Sequence, residues 1–183
     1  MPNKAVFLDR DGTLIEDRDY LSRPDEVVIY PGVPQALRAL SDAGFKLVIV
    51  TNQSGVGRGY FTLADVENVH RHLLEELKRA AGVRIDGIYV APEAPDQASR
   101  GRKPSPQFLF DARDELGIDL ARSYMIGDKL IDLACGWNGG LKRALLVRTG
   151  YGAKVESQKT PELARAIVVD DFPSAADWIL KDK

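Results

Sequence analysis

AVFLDRDGTL, residues 5–14, joins a short apolar run to two aspartates that lie two positions apart. The apolar residues predict a buried strand over 5–9, and Gly12 with Thr13 predicts a turn directly after it. Asp9 and Asp11 therefore lie at the carboxyl end of a strand. Two ionised carboxylates placed so close together repel each other, so this arrangement indicates a positive charge bound between them.

Apolar runs of this kind recur along the chain and alternate with segments of helical spacing. Strands are predicted over 5–9, 45–51, 85–91, 123–128, 144–149 and 166–171, and helices over 32–43, 62–82, 106–116 and 173–181, with a short helix between the fourth and fifth strands. Apolar strands that alternate with helices predict an α/β fold with a parallel sheet covered on both faces. No linker or internal repeat divides the 183 residues, so a single domain over 1–183 is expected.

The composition is that of an ordinary globular protein, with 44% hydrophobic residues, 28% charged residues and a net charge of −2. Lysine and arginine are spread along the chain without a basic stripe, so no nucleic-acid partner is predicted. No signal-peptide pattern precedes the first strand and no apolar stretch approaches the roughly 18 residues of a membrane span, so a cytoplasmic protein without a membrane partner is expected. Cys135 is alone, which excludes a disulfide framework.

Polar residues follow four of the predicted strands, and Asp9, Thr51 and Asp128 lie at the strand ends themselves. They are Asp9 and Asp11 after the first, Thr51 and Asn52 after the second, Lys103 after the third, and Asp128 and Asp132 after the fourth. Carboxyl ends of parallel strands share one edge of the sheet, where ligands bind. Several carboxylates and a lysine at one edge favour Mg²⁺ with a phosphate. Without that cation, a carboxylate about 4 Å from a phosphate dianion is repelled by about 8 kcal/mol.

These residues resemble the four motifs of the haloacid dehalogenase-type (HAD) phosphatases. A hydrophobic run ending in DxDGT at 5–13, Thr51 after a hydrophobic strand, Lys103 before a proline, and GDKLID at 127–132 match in type, order and spacing. The resemblance implies a three-layer Rossmann-like fold with a central parallel sheet and no separate cap domain. It also implies a Mg²⁺-dependent phosphomonoesterase that acts through an aspartyl-phosphate intermediate.

The resemblance implies a role for each motif residue. Asp9 would be the nucleophile, and Asp11 would protonate the leaving oxygen and later deprotonate the hydrolytic water. Thr51 and Lys103 would bind the phosphoryl oxygens. Asp132 is expected to orient Lys103 or the outer shell of the metal. The implied Mg²⁺ ligands are Asp9, the backbone carbonyl of Asp11, and Asp128.

Longer stretches narrow the resemblance to the subfamily that contains heptose-bisphosphate and histidinol phosphatases. The matching stretches are FLDRDGTLIEDRDYL (7–21), VIVTNQSGVGRGYFT (48–62), GRKPSP (101–106) and SYMIGDKLIDLACG (123–136). They imply a small phosphorylated sugar as substrate, with the 7-phosphate of D-glycero-D-manno-heptose 1,7-bisphosphate first and histidinol phosphate as the alternative. Capless relatives are often monomers, and a monomer is expected. The implied substrate-binding residues are Asp17, Arg18, Asp19, Tyr20, Thr51, Asn52, Gln53, Ser54, Arg102 and Lys129.

One loop departs from the pattern of the subfamily. Many relatives carry a zinc loop that reads C-x-H-x-P and then C-x-C-R-K-P. The four ligand positions are occupied here by Ala91, Glu93, Ser99 and Gly101. These groups cannot form a tetrahedral zinc site, so no structural zinc is expected.

Two other functions use similar residues. A phosphoacceptor signalling module also has acidic residues, Thr and Lys on a parallel sheet, but it places its acidic pair and its acceptor on different strands and its lysine after the last. Here Asp9 and Asp11 share one strand end and Lys103 precedes Asp128, an order that favours the phosphatase. A polynucleotide 3′-phosphatase is disfavoured by the mildly acidic composition.

His70 and His72 are the only histidines of the chain. Their separation by two positions on a predicted helix points them in different directions, which argues against a shared metal ion. Solvated surface positions are therefore expected for both.

Overall fold

Six parallel strands form one sheet in the computed structural model, which describes residues 2–182. The strands are β1 (Lys4–Leu8), β2 (Phe45–Asn52), β3 (Gly87–Ala91), β4 (Tyr124–Gly127), β5 (Arg143–Val147) and β6 (Ile167–Val169). Their order across the sheet is β3-β2-β1-β4-β5-β6, and every neighbouring pair is parallel. The chain thus builds outward from β1 on one side and from β4 on the other.

Helices cover both faces of this sheet. The described residues form α1 (Val33–Asp42), α2 (Ser54–Gly57), α3 (Leu63–Ala81), α4 (Gln107–Leu116), α5 (Leu130–Asn138), α6 (Gly152–Ser157) and α7 (Phe172–Lys181). Apolar residues of α1, α3 and α7 pack into one core cluster, and those of α4 and α5 pack into a second. No helix within residues 2–182 has the length and apolar character that a membrane span requires.

The two clusters lie on opposite faces because successive strand residues point to opposite sides. In β1, Val6 and Leu8 belong to the first cluster, whereas Ala5 and Phe7 belong to the second. Burial on both faces explains why the strands read as continuous apolar runs rather than alternating ones. The predicted α/β fold with a covered parallel sheet is confirmed. Within the described chain, no inserted domain lies between β1 and α1, as predicted.

The site lies at the carboxyl ends of β1 and β4, the two adjacent strands from which the sheet extends in opposite directions. The helix α1 that follows β1 packs on one face, whereas α5, which follows β4, packs on the other. Adjacent strands whose helices leave to opposite faces open a crevice beyond their carboxyl ends. The ends of β1 and β4 therefore form a ready-made binding crevice, and Asp9 and Asp128 follow these two strands.

Most predicted boundaries lie within a few residues of the observed ones. The third strand begins at Gly87 rather than at 85. The reason is that the carboxylate of Asp86, not a backbone carbonyl, accepts the hydrogen bond from the Leu47 N–H at 3.0 Å. The four-residue α2 and the six-residue α6 were not predicted, because they are too short to show a helical period.

The start and end of α3 were predicted at the residues where they are observed. Thr62 caps the helix through a reciprocal pair of bonds with Asp65: the Thr62 Oγ1 accepts from the Asp65 N–H at 3.2 Å, and Asp65 Oδ2 accepts from the Thr62 N–H at 2.8 Å. Gly82 ends the helix with a φ of 63°, in the left-handed region.

Candidate active site

Asp9, Lys103 and Asp132 form a buried charged cluster at the carboxyl end of the sheet. The Lys103 Nζ lies 2.6 Å from Asp9 Oδ1 and 2.7 Å from Asp132 Oδ1. It also donates a hydrogen bond to the Val50 carbonyl at 2.8 Å. The three side chains are at most 8% exposed. A buried ammonium with three oxygen partners is fully satisfied, so its position is tightly defined.

Two neighbouring contacts hold this cluster in place. The Asn52 side chain at the end of β2 accepts a hydrogen bond from the Lys103 N–H at 3.0 Å and donates one to the Lys103 carbonyl at 3.2 Å. The other carboxylate oxygen of Asp132, Oδ2, accepts from the Lys129 N–H at 2.9 Å and so caps the start of α5. Lys103 is thereby held between the end of β2 and the start of α5.

Asp128 directly follows β4 and is completely buried. Its Oδ2 accepts a hydrogen bond from the Tyr151 N–H at 2.8 Å, while its Oδ1 has no hydrogen-bond partner. Gly12 and Gly150, at φ of 83° and 55°, approach so closely that a Cβ on either would overlap the Asp128 carboxylate. One buried carboxylate oxygen is thus left free to act as a ligand.

These acidic groups fit a divalent cation. Asp9, Asp128 and Asp132 each place one carboxylate oxygen within 4.8 Å of the others. Burial is the main cause that raises the pKa of Asp9 to about 6 and that of Asp128 to about 8, because the charged form loses its hydration. The crevice therefore favours either protons or a cation, and carboxylate oxygens are the donors that Mg²⁺ prefers. Both oxygens of Asp132 are engaged, Oδ1 by Lys103 at 2.7 Å and Oδ2 by the Lys129 N–H at 2.9 Å, so Asp9 and Asp128 are the better ligands.

The Asp11 carboxylate is held from two sides. Arg10 donates to it twice, from Nε to Oδ2 and from Nη2 to Oδ1, both at 3.0 Å. Gln53 Nε2 donates to the same Oδ2 at 2.9 Å. Burial raises the pKa of Asp11, but the charge and hydrogen bonds of Arg10 outweigh it and hold that pKa below its ordinary value. The environments of Asp9 and Asp11 thus shift their pKa values in opposite directions.

Two cavities meet at this cluster. The smaller, of about 40 Å³, is lined by Asp9 and Lys103 among others, and the larger, of about 220 Å³, opens toward the surface. Asp11, Asn52 and Lys129 line both. The predicted substrate-binding residues that line the larger cavity are Asp17, Asp19, Tyr20, Asn52, Gln53, Ser54 and Lys129.

Three predicted substrate-binding residues do not line the larger cavity. Arg18 pairs with Glu16 at 3.0 Å on the surface. Arg102 donates from Nη1 to the Glu93 carbonyl at 3.0 Å. Thr51 is buried, and its Oγ1 accepts a hydrogen bond from Gln53 Nε2 at 2.8 Å.

The segment 17–20, here called the flap, borders the larger cavity. The Asp17 carboxylate lies 3.0 Å from Lys129 Nζ. Tyr20 packs edge-on against the ring of Tyr60, with ring centroids 4.7 Å apart. The flap is thereby connected to the start of α5 and to the segment before α3.

Sequence reasoning missed two residues of the site. Arg10 lies between the two aspartates of the first motif, so its proximity to them was a usable signal. Tyr151 donates its N–H to Asp128 and places its ring 4.7 Å from Lys129 Nζ. No local pattern connects Tyr151 with Asp128, 23 positions earlier, so only the fold reveals this contact.

The expected surface position of His70 is wrong. Its side chain belongs to the buried residues of α3, together with Val66, Val69 and Leu73. These residues share one helix face because they lie three, four or seven positions apart, a spacing that includes His70. Burial lowers the pKa of His70 to about 4, so the imidazole is neutral. His70 Nε2 and Arg10 Nη1 are both buried without a hydrogen-bond partner in the part of the chain that the structure describes.

Comparison with known proteins agrees with this geometry. The haloacid dehalogenase-like hydrolase family model matches residues 16–136, and a second, HAD-hydrolase-like model matches 101–175. The D-glycero-beta-D-manno-heptose-1,7-bisphosphate 7-phosphatase of Haemophilus ducreyi is 41% identical over 94% of this chain and 98% of its own length. The protein of the same name from Escherichia coli K12 is 40% identical over 96% of this chain and 87% of its own.

A solved structure is similar as well. The crystal structure of D,D-heptose 1,7-bisphosphate phosphatase from B. bronchiseptica, complexed with magnesium and phosphate, matches with a TM-score of 0.89 and 34% identity over 98% of this chain and 99% of that one. The chain therefore belongs to the haloacid dehalogenase-like hydrolase family. Within that family its relatives are phosphatases, and the protein is a phosphoric monoester hydrolase.

Proposed function

We propose that this hydrolase removes the 7-phosphate of D-glycero-D-manno-heptose 1,7-bisphosphate. The observation that carries the proposal is that the larger, polar cavity shares Asp11, Asn52 and Lys129 with the smaller cavity, which Asp9 and Lys103 line. Carboxylates and amides of the flap and of residues 52–54 suit the hydroxyls of a sugar. The identity of about 40% to heptose-bisphosphate phosphatases over nearly the whole chain supports the same substrate.

The chemistry proceeds in two displacements at phosphorus. In the first, an Asp9 carboxylate oxygen forms a bond to phosphorus while the bond from phosphorus to the sugar oxygen breaks. Asp11 gives a proton to that leaving oxygen. The negative phosphate nearby favours the protonated form of Asp11, which offsets the effect of Arg10. In the second, water attacks the aspartyl phosphate, Asp11 takes the proton from the water, and Asp9 leaves as a carboxylate.

Lys103 and Thr51 are proposed to bind the phosphoryl oxygens during both displacements. The Lys103 ammonium already lies 2.6 Å from the nucleophilic carboxylate, so it faces the place where the phosphoryl group arrives. Charge-assisted hydrogen bonds aimed at developing negative charge stabilise such a transition state more than the ground state. Asp132 is proposed to orient Lys103, because its Oδ1 lies 2.7 Å from Lys103 Nζ.

Magnesium is the proposed cofactor. Asp9, Asp128 and the backbone carbonyl of Asp11 would hold the ion, and the free buried oxygen of Asp128 supports this assignment. When bound, the ion supplies positive charge that offsets the repulsion between the phosphate and the carboxylates of the site.

We propose that the protein holds no structural zinc. Of the four positions where relatives carry zinc ligands, Ala91 and Gly101 offer no side-chain ligand atom. The other two bind each other, since Ser99 Oγ donates to Glu93 Oε2 at 2.7 Å. A hydrogen bond thus occupies the place of a metal ligand pair. One equivalent of tightly bound zinc in elemental analysis would contradict this proposal.

The substrate proposal is tested with a phosphate-release panel in the presence of Mg²⁺. The panel contains both anomers of heptose 1,7-bisphosphate, fructose 1,6-bisphosphate, histidinol phosphate and a DNA 3′-phosphate. We expect the highest kcat/KM for one heptose anomer and loss of turnover with a chelator. Equal rates across the panel would indicate a general phosphomonoesterase, and highest activity on histidinol phosphate would select the alternative. Turnover unaffected by the chelator would refute the role of Mg²⁺.

We further propose that residues 1–183 act as a single domain and as a monomer. The single continuous sheet supports the first point. Light scattering on the purified protein should give a mass near 20.2 kDa, and a mass of twice that value would contradict the second.

A further inference from the structure

Arg10 is a buried cation inside the first motif. Its side chain is 1% exposed, and it is one of the largest fully buried side chains of the described chain. Removing a guanidinium from water is costly unless it is paired. Across residues 2–182, Asp11 is the only carboxylate that forms an ion pair with it. Within residues 2–182, the fold therefore buries the Arg10 guanidinium against a single carboxylate, that of Asp11.

The contact between Arg10 and Asp11 fixes an orientation as well as a distance. Two guanidinium nitrogens donate to the two carboxylate oxygens, at 3.0 Å each, so both groups are held in the bidentate geometry that arginine and carboxylate share. A lysine at the same place could not impose it, because an ammonium is a point charge. The carboxylate of Asp11 is therefore prevented from rotating.

Gln53 completes this arrangement and connects it to the phosphoryl site. Its amide nitrogen donates to Asp11 Oδ2 at 2.9 Å and to Thr51 Oγ1 at 2.8 Å. Three donors therefore hold the carboxylate of Asp11 from the protein side. Asp11 also lines both cavities, so its remaining face borders the space where the leaving oxygen would lie.

The backbone of Arg10 is equally well fixed. Its carbonyl accepts hydrogen bonds from the N–H groups of Leu14 at 2.9 Å and Ile15 at 3.2 Å, which closes the turn after β1. On the side of α3, the neighbouring His70 is neutral, so it does not compete with Arg10 as a cation for the Asp11 carboxylate. The Arg10 side chain therefore extends from a fixed backbone position to the Asp11 carboxylate.

We propose that Arg10 is a positioning residue for catalysis, whose guanidinium fork fixes the Asp11 carboxyl in the orientation that delivers a proton to the leaving oxygen. The proposal rests on the proposed function, in which Asp11 is the general acid. Loss of the fork should slow the breaking of a bond to a poor leaving group, such as a sugar oxygen. It should matter far less for a leaving group that needs no proton.

The experiment compares Arg10→Met, Arg10→Lys and Asp11→Asn on two substrates, heptose 1,7-bisphosphate and p-nitrophenyl phosphate. Arg10→Met is expected to lower both kcat and kcat/KM on the sugar phosphate by about 10²-fold, within the range of general acid catalysis, with KM almost unchanged. On the aryl phosphate its kcat/KM should fall far less, because kcat/KM reports the formation of the aspartyl phosphate and not its hydrolysis, in which Asp11 acts as the base for both substrates. Arg10→Lys keeps the charge but loses the fork, and should lie between Arg10→Met and the wild type.

A double variant provides the decisive control. In the Asp11→Asn background, Arg10→Met should lower kcat on the sugar phosphate little further, because two residues that act through one group are not additive. A further loss equal to that of the single variant would overturn the proposal. So would equal losses of Arg10→Met on both substrates while Asp11→Asn still discriminates between them, since that pattern indicates a purely structural role.

Failure of the proposed function gives a different pattern. If Asp11→Asn itself lowers kcat/KM equally for both substrates, Asp11 is not the general acid, and the proposed role of Arg10 is excluded as well. Thermal unfolding checks that each variant is folded. If Arg10→Met does not fold, Arg10→Lys decides the question by the same comparison of the two substrates, because it retains the buried charge.

Discussion

Two regions of the site consist largely of charged residues but are held in different ways. They are the phosphoryl end (Asp9, Lys103, Asp128 and Asp132) and the flap (residues 17–20). Lys103, the cation at the phosphoryl end, is 1% exposed and lies within 2.8 Å of three oxygens. Asp17 of the flap is 16% exposed and pairs at 3.0 Å with Lys129 at the start of α5, which is 34% exposed. Electrostatic interactions are stronger where water is excluded. The phosphoryl end can therefore hold the reacting groups in fixed positions, whereas the flap can rearrange when a ligand binds.

The backbone shows the same contrast. Asp9 and Asp128 of the phosphoryl end directly follow regular strands, whereas Asp19 and Tyr20 of the flap have φ values of 36° and 63°. A left-handed conformation at a residue other than glycine costs about 1 kcal/mol or more. The flap holds this conformation through contacts with Tyr60 and Tyr151. We infer that the phosphoryl end carries out the chemistry and that the flap selects the substrate.

The largest expected effect is that of Asp9→Asn, which removes the proposed nucleophile. Turnover should fall by about 10⁴-fold or more, because an amide cannot form the aspartyl phosphate. Steady-state kinetics and trapping of radiolabelled phosphoryl enzyme measure this loss, and titration calorimetry should show that Mg²⁺ and phosphate still bind. Substantial activity in this variant would exclude the covalent mechanism.

Lys103→Met should be the next largest change and should also affect stability. It leaves Asp9 and Asp132 buried without their shared cation, which costs about 3–5 kcal/mol in the free energy of unfolding. Urea denaturation in the presence of a chelator measures it. Lys103→Met combined with Asp132→Asn should recover part of the loss, since one uncompensated charge is removed. No recovery would show that the carboxylates are not the source of the instability.

The phosphoryl end should also make stability depend on pH in the absence of metal. The pKa of Asp9 is raised to about 6 and that of Asp128 to about 8, both above the unfolded value of 3.8. The folded state then binds more protons, so the stabilisation present below pH 4 is lost as the pH rises toward 8. The free energy of unfolding should therefore fall steadily between pH 5 and pH 8.

Magnesium sharpens this test. An ion that replaces the protons should make the fall smaller, and its affinity should increase over the same pH range. Urea denaturation at several pH values, with Mg²⁺ and with a chelator, gives both slopes. Asp128→Asn should flatten the slope in the chelator. Equal slopes with and without Mg²⁺ would place the ion away from these carboxylates.

The smallest expected effect is that of Asp17→Asn in the flap. The partly exposed pair with Lys129 contributes about 1 kcal/mol or less, so KM for the heptose bisphosphate should rise about two- to fivefold, with kcat and the thermal midpoint almost unchanged. Arg18→Gln is the matched control, because Arg18 lies in the same segment but pairs with Glu16. An equal rise in KM for the control would remove the distinction between the two positions.

Much of the fold and part of the site could be predicted from the sequence. The apolar runs predicted all six strands, and the helix predicted over 62–82 begins and ends at the residues that cap α3. Motif spacing predicted that Asp9, Lys103 and Asp128 would meet, since strand ends of a parallel sheet share one edge. His70 was misplaced because two histidines were considered as a pair rather than as parts of the apolar stripe of their helix.

By itself, the sequence determined the α/β class and the chemical identity of the groups at the sheet edge, because apolar runs and strand-end motifs are local properties. Only the tertiary structure decided which groups pair. Lys103 meets Asp9 across 94 positions, and Tyr151 meets Asp128 across 23. Arg10 faces Asp11 rather than Asp9 because of the turn after β1 and the packing around it. Such pairings require residues far apart in the sequence to come into contact, and no local sequence pattern specifies which of them will do so.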